Sequence, residues 1–206
     1  MCFVCILFST ECIAQEAATE VHLPSPDTSG GKPLMQVLKM RRTSRSFSDK
    51  SIPQQTLSNL LWAGFGINRE DGHRTAPSAM NWQEIDLYVA TSEGVSVYDA
   101  HANTLRVVTH SDLREKTGTQ DFVKDAPVTI VYVADLSKTS RASGNDQILY
   151  TGADCGFIAQ NVYLYCASEG LACVVRGSVD RAELSKSMHL RANQAIILTQ
   201  TVGYPK

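Results

Sequence analysis

Apolar residues recur at helical spacing in two stretches of the first third of the chain. The first stretch predicts a short helix over residues 34–42. The second predicts a helix that Ser51 caps, with Pro53 near its first turn, and that ends at Gly64 or Gly66. Each helix would have one apolar face, which must be buried against strands further along the chain.

A longer helical pattern lies in the second half of the chain. Residues 145–169 predict a long helix, and Gly170 is suited to end it because glycine readily adopts the left-handed conformation. Small residues such as Gly152 and Gly156 keep part of this helix thin, which favours close packing against another helix or a cofactor. Asp180 then predicts the cap of a further short helix.

Strand patterns occupy the stretches between these helices. They are rich in β-branched and aromatic residues and cover residues 86–91, 95–98, 104–108, 128–134, 171–175 and 195–202. The second and third form a predicted hairpin, and residues 128–134 are so continuously apolar that we expect them at the centre of the sheet. Helices and strands without regular alternation predict an α+β fold, and no glycine-rich dinucleotide or P-loop motif is found.

Composition narrows the class of protein. The chain has 206 residues, is 43% hydrophobic and 19% charged, and carries a net charge of -2. A domain of this size buries roughly 70% of its unfolded surface, so it needs no metal or disulfide to fold. The near-neutral charge argues against a nucleic-acid-binding protein.

Cys2 and Cys5 form one Cys-x-x-Cys pair, but no second such pair or Cys/His group accompanies it, so the six cysteines do not predict a zinc site. Three of them, Cys155, Cys166 and Cys173, lie in apolar surroundings, and we expect them to be buried free thiols.

The first residues raise the question of export. Residues 1–15 are largely apolar but too short to span a bilayer, and they resemble the hydrophobic part of a secretory signal without its positive start. An apolar arm packed on the domain is the alternative, so a periplasmic or exported location and a cytoplasmic one both stay open. Residues 16–33 predict a linker or arm, and residues 34–206 the functional domain.

The sequence Arg-Arg-Thr-Ser-Arg-Ser-Phe, residues 41–47, is the most basic stretch of the chain. One interpretation is a solvated helix end, where cations are favoured by the helix dipole. The other is a phosphate site, because guanidinium groups and hydroxyls match phosphate oxygens. The first interpretation needs no ligand, whereas the second implies one small anionic group.

Four motifs in order resemble the nitroreductase family of FMN-dependent oxidoreductases. They are Arg-Arg-Thr-Ser-Arg-Ser-Phe (41–47), Ala-Pro-Ser-Ala-Met-Asn-Trp-Gln (76–83), the helix and strand from Asp154 to Gly177, and Val-Gly-Tyr-Pro-Lys (202–206). Residues 60–69 and 72–78 are similar to the thiazole/oxazole-forming dehydrogenases within that family. The resemblance implies a nitroreductase-like fold, with a central mixed or mostly antiparallel sheet flanked by helices, in an intertwined homodimer.

The resemblance also implies an FMN site at the subunit interface. Its predicted residues are Arg41, Arg42, Thr43, Arg45, Pro77, Ser78, Ala79, Met80, Asn81, Val174, Val175, Arg176, Gly177 and Lys206. The arginines, Thr43 and Lys206 would bind the phosphate, residues 77–81 would line the ring from the second subunit, and residues 174–177 would meet its reactive edge. Hydride from NAD(P)H would pass through the flavin to a small acceptor such as a nitro compound or quinone.

Several of these residues have simpler interpretations. Asn81 could be a turn or cap residue, Lys206 a frayed terminus, and Arg176 part of a surface salt bridge. We expect Asp154 to hold structure, and His73 is the one histidine near a motif. No acid–base pair or nucleophile stands out, which fits chemistry carried by a cofactor. An azoline-type dehydrogenase and a flavin- or ligand-binding protein without turnover are the alternative functions.

Overall fold

The computed structural model describes residues 20–139 and 141–206. The predicted signal segment, with Cys2, Cys5 and Cys12, lies outside these residues. The strands are β1 (Glu20–His22), β2 (Ile85–Thr91), β3 (Gly94–Asp99), β4 (Thr104–Thr109), β5 (Val128–Asp135), β6 (Ala172–Arg176) and β7 (Gln194–Gly203). The α-helices are α1 (Leu34–Met40), α2 (Gln54–Phe65), α3 (Gly144–Glu169) and α4 (Arg181–Ser187).

The seven strands form one sheet in the order β1-β4-β3-β2-β5-β7-β6, and every pair is antiparallel. The predicted hairpin is confirmed as β3 and β4, and the predicted central strand as β5. All residues of β5 are buried because both faces of the sheet are covered there. Ile130 and Tyr132 face α2 and α3, whereas Val131 and Val133 face α4.

The helix predictions are confirmed with one correction at a helix start. Helix α2 begins after Pro53, and no side chain caps it, so the expectation that Ser51 caps this helix is wrong. Proline lacks an N–H and has a helix-compatible φ, so it begins the helix without needing a cap. Helix α3 ends as predicted, at Gly170 with φ 72°. The Asp180 side chain caps α4 by accepting a hydrogen bond from the Glu183 N–H.

Two short 3₁₀ turns, Arg114–Thr117 and Asp121–Lys124, lie between β4 and β5. In the predicted linker or arm, β1 adds to the sheet and Leu23 is buried in the main core. These residues therefore pack on the domain as an arm.

Among the described residues, Cys155, Cys166 and Cys173 are buried free thiols, as predicted. The same residues contain no helix long and apolar enough to cross a membrane. They also contain no cluster of three side chains that could hold a metal ion.

Candidate functional site

The arginine segment, residues 41–47, leaves α1 and follows the free edge of β6. The Ser44 N–H donates to the Cys173 carbonyl at 2.9 Å, and Phe47, which is buried, forms a bridge with Pro205. The Ser48 N–H donates to the Tyr204 carbonyl at 2.8 Å. The backbone is therefore fixed at both ends, which leaves the polar side chains between them to face outward.

The arginine segment carries three positive charges that no described carboxylate nearby neutralises. Arg41 is half-buried and Arg42 and Arg45 are exposed, and no described carboxylate lies within 4.0 Å of any of the three. Lys206 follows Pro205, the bridge partner of Phe47, so its backbone lies next to the segment. Arg41 and Arg42 line a cavity of about 440 Å³ beside the C-terminal half of α3. The structure thus brings together the predicted phosphate-binding residues.

Tyr163 of α3 connects the arginine segment to β6, and the sequence analysis did not identify it. Its hydroxyl accepts a hydrogen bond from the Val175 N–H at 2.9 Å and lies 3.2 Å from the Thr43 hydroxyl. The Arg41 guanidinium lies 5.4 Å from the centre of its ring. One aromatic side chain therefore positions both the segment and the end of the strand.

The predicted residues 174–177 alternate between the two faces of the sheet. Val175 faces α3, whereas Val174 is buried on the opposite face, and its side chain packs beside Phe47. Gly177 is exposed, and a Cβ built there would meet only the Leu198 side chain, at 3.8 Å. A ligand could therefore come close to the backbone at Gly177, whereas the Val175 N–H already donates a hydrogen bond to the Tyr163 hydroxyl.

Arg176 is buried without a counter-ion. Its side chain is 4% exposed, its Nε and Nη1 atoms have no partner, and no described carboxylate lies within 4.0 Å. The Thr201 hydroxyl accepts one hydrogen bond, and Phe122 lies against the guanidinium at 5.7 Å. Burial lowers the pKa of Arg176 to about 10. The interpretation of Arg176 as a surface salt bridge is therefore wrong.

Glycine at position 118 makes room for this guanidinium. A Cβ at Gly118 would lie 2.0 Å from the Arg176 Nη1 atom, which is closer than atoms can approach. The buried cation is thus accommodated by the backbone of the loop that covers it.

The second predicted set, residues 77–81, lies elsewhere in the protomer. The Ala79 N–H donates to the Asp154 carboxylate at 2.8 Å, which agrees with the structural role expected for Asp154. From Asp154 to Tyr163 the axis of α3 rises about 13 Å at 1.5 Å per residue. A single protomer therefore does not bring residues 77–81 together with the arginine segment.

Residues 77–81 present little free hydrogen-bonding capacity of their own. Pro77, Met80 and Asn81 are exposed, whereas the Ser78 hydroxyl contacts Glu84. Asn81 ends a 3₁₀ turn with φ 53°, so the turn interpretation fits its backbone. A cavity of about 290 Å³ is lined by Pro77, Ser78, Asn81 and His73. The His73 ring contacts the Asp71 carboxylate at 2.8 Å.

The antiparallel sheet, with α2 and α3 on one face and a cation-rich edge beside β6, has the nitroreductase-like fold. The chain belongs to the nitroreductase family, whose family model matches residues 38–204. A crystal structure from Ralstonia eutropha JMP134, of a protein provisionally named a nitroreductase, is 40% identical to it. The TM-score is 0.87, and the match covers 91% of this chain and 90% of that one.

More distant proteins share the same fold. A curated relative from Methanocaldococcus jannaschii, also provisionally named a nitroreductase, is 26% identical over 175 residues, covering 80% of this chain and 88% of the relative. The NADPH:FMN oxidoreductase of Vibrio harveyi, in complex with NAD+, has a TM-score of 0.64 at 20% identity, covering 84% of this chain and 69% of that one. The resemblance to the thiazole/oxazole-forming branch stays a prediction.

Proposed function

We propose that this protein is an FMN-dependent oxidoreductase that takes hydride from NAD(P)H and passes electrons to a small acceptor. The observation that carries the proposal is the cluster of Arg41, Arg42, Arg45 and Lys206 at the edge of β6, with no described carboxylate against the arginines. Unpaired cations on a fixed backbone suit a dianionic phosphate. Family membership supports the same proposal.

The residues fit the different parts of FMN. Guanidinium groups and the Thr43 hydroxyl offer charge-assisted hydrogen bonds to a phosphate, each worth roughly 1.5–3 kcal/mol. Val175 and the open backbone at Gly177 offer an apolar surface and close approach for a flat ring. The cavity beside Arg41 is within the size range of small-molecule sites. When bound, the flavin would supply the redox chemistry, and the protein would bind and orient it.

A visible spectrum of the purified protein tests this proposal. We expect a yellow protein whose released cofactor is FMN by mass, and whose flavin band bleaches when NADH or NADPH is added without oxygen. A colourless protein that does not bind added FMN would contradict the proposal. Bound flavin that dithionite reduces but NADH and NADPH do not would favour a binding protein without turnover.

Turnover with a quinone or nitro compound would then be followed at varied donor and acceptor concentrations. Parallel lines in double-reciprocal plots are expected, because donor and acceptor would use the same place in turn. Oxidation of an azoline-containing peptide by bound flavin, without activity on simple acceptors, would favour the azoline-type dehydrogenase instead.

We further propose that the protein works as a homodimer through the faces of α1 and α3. These neighbouring helices expose large apolar side chains that a soluble monomer rarely leaves in contact with water: Leu34, Met35, Leu38, Met40, Ile148, Leu149, Tyr150 and Phe157. Gly152 and Gly156 have no atom within 4 Å of a built Cβ, so a second helix could pack closely there. Two copies joined in this way could combine the arginine segment of one with residues 77–81 of the other.

Charge placed on this face should separate the subunits. We expect the double variant Leu149→Glu/Phe157→Glu to be a monomer in sedimentation velocity, because burying two carboxylates in an apolar interface is strongly unfavourable. Ala182→Glu, at an exposed position of α4 on the other side of the sheet, is the matched control and should remain dimeric. A wild-type protein that sediments as a monomer would contradict the dimer.

Export remains a proposal that rests on residues 1–15. Comparison of the mature N-terminus after expression with and without secretion would decide between removal of this segment and its retention as an arm.

A further inference from the structure

Two carboxyl groups lie buried together beneath residues 77–83. Glu84 is fully buried just before β2, and Asp154 in α3 is 3% exposed. The Glu84 Oε2 atom accepts a hydrogen bond from the Ser78 hydroxyl at 3.2 Å, and the same hydroxyl accepts one from the Gln83 N–H at 2.8 Å. The Asp154 Oδ2 atom accepts the Ala79 N–H at 2.8 Å. The pair thus binds the segment at Ser78 and Ala79, and the Ser78 hydroxyl links this end of the segment to Gln83.

No cation balances these carboxyl groups. Within the described ranges, no lysine, arginine or histidine lies within 4.0 Å of either one. Burial, and then the negative charge of Asp154, raise the pKa of Glu84. The neighbouring Cys155 thiol remains neutral, since burial raises its pKa to about 12. Two like charges repel each other strongly in a buried site without a cation, which favours retention of one proton by Glu84.

The hydrogen bonds indicate where that proton lies. Asp154 accepts a main-chain N–H, as an ionised carboxylate does. The Glu84 Oε1 atom has no partner, which is unfavourable for an ionised oxygen but resolved if it carries the proton and donates to Asp154.

The segment above the pair has an unfavourable backbone. Met80, Asn81 and Gln83 have φ values of 49°, 53° and 48°, in the left-handed region that residues other than glycine rarely adopt. Such conformations cost of order 1–3 kcal/mol each and persist only where surrounding contacts enforce them. The hydrogen bonds of Ser78, Ala79 and Gln83 are among those contacts, and two of them end on the pair.

We infer that Glu84 and Asp154 are positioning residues that share one proton and thereby hold Met80, Asn81 and Gln83 in their left-handed conformation. Loss of the proton places two negative charges beneath the segment and releases it. This inference rests on the proposed function in one respect, namely that residues 77–81 line the flavin across the subunit interface. Release of the segment would then weaken cofactor binding as the pH rises.

Trp82 gives a readout that does not need a flavin. It lies within the segment, and its ring packs edge-on against Tyr150 at 6.0 Å. The chain has two tryptophans, so Trp62→Phe leaves Trp82 as the one emitting indole. In that background we expect the Trp82 fluorescence to change in a single one-proton step as the pH is raised above the ordinary range of a glutamate.

Glu84→Gln should abolish that step, because the amide keeps the Ser78 contact but has no proton to lose. The matched control Glu93→Gln, at the exposed β2–β3 turn, should titrate like its parent. Asp154→Asn keeps an acceptor for the Ala79 N–H and should move the step to lower pH, because Glu84 keeps its proton but no longer faces the charge of Asp154. A flat signal in the parent while circular dichroism shows an intact fold, or a Glu84→Gln curve that matches the parent, would overturn the inference.

Flavin binding and unfolding provide independent measurements. Above the titration of the pair, the FMN dissociation constant should rise about tenfold per pH unit in wild type and stay flat in Glu84→Gln. Stability from the protonated Glu84 is complete at acidic pH and is lost as the pH rises through its raised pKa, so the variant should lose less stability at alkaline pH. If the protein binds no FMN at any pH, the proposed function fails, whereas the Trp82 titration still tests the pair.

Discussion

Replacement of Arg41 and Arg45 by alanine should release FMN while the sheet stays folded. Each guanidinium–phosphate hydrogen bond is worth roughly 1.5–3 kcal/mol, so losing both should weaken binding roughly 100-fold to 10,000-fold. The fold should persist because Arg45 is exposed and Arg41 contributes only its contact with the Tyr163 ring. That contact is worth roughly 0.5–1 kcal/mol.

Quenching of FMN fluorescence by the flavin-free protein gives the dissociation constant, and circular dichroism checks the fold. The control is Arg106→Ala/Lys186→Ala, which removes the same charge from two exposed sites away from the arginine segment. FMN affinity should be nearly unchanged in that control. Full affinity in the Arg41→Ala/Arg45→Ala protein would refute the assignment of the phosphate site.

Replacement of Arg176 by methionine should make the flavin-free protein more stable. A pKa lowered to about 10 corresponds to a cost of about 3 kcal/mol for keeping this charge in the folded protein. Methionine has a similar length without charge and should pack beside Phe122 and Gly118. Urea unfolding at neutral pH measures the gain, and a clear loss of stability would contradict it.

The pH dependence of stability offers a second check on Arg176. Because its pKa is lowered in the folded protein, the penalty is constant at neutral pH and diminishes as the pH rises above about 10. Wild type should therefore approach the stability of Arg176→Met in strongly alkaline solution.

Local patterns predicted most of the fold because the strongest signals agree with tertiary packing. Residues 128–134 read as a central strand, and β5 is covered on both faces. The prediction that Ser51 caps α2 was wrong because the helix begins directly after Pro53, whose fixed backbone angle sets the helix start. The pairing of β1 with β4 had no local signal, since three residues of strand are stabilised only by their neighbours.

The candidate site was predictable only in part. Arg41 and Arg45 were recognisable because charges so dense in sequence remain close in space. The role of Tyr163 depends on how α3 lies over β6, which no spacing along the chain reveals. The burial of Arg176 follows from its sharing a face of the sheet with Val174, whereas an arginine at a strand end usually reaches solvent.

The arginine segment and Tyr163 cover the free edge of β6, and this limits how copies of the chain can associate. The Cys173 carbonyl and the Val175 N–H are already paired with Ser44 and Tyr163. The β6 edge therefore offers no run of vacant main-chain groups onto which another strand could add. Edge-to-edge polymerisation through β6 is disfavoured even when the concentration is high.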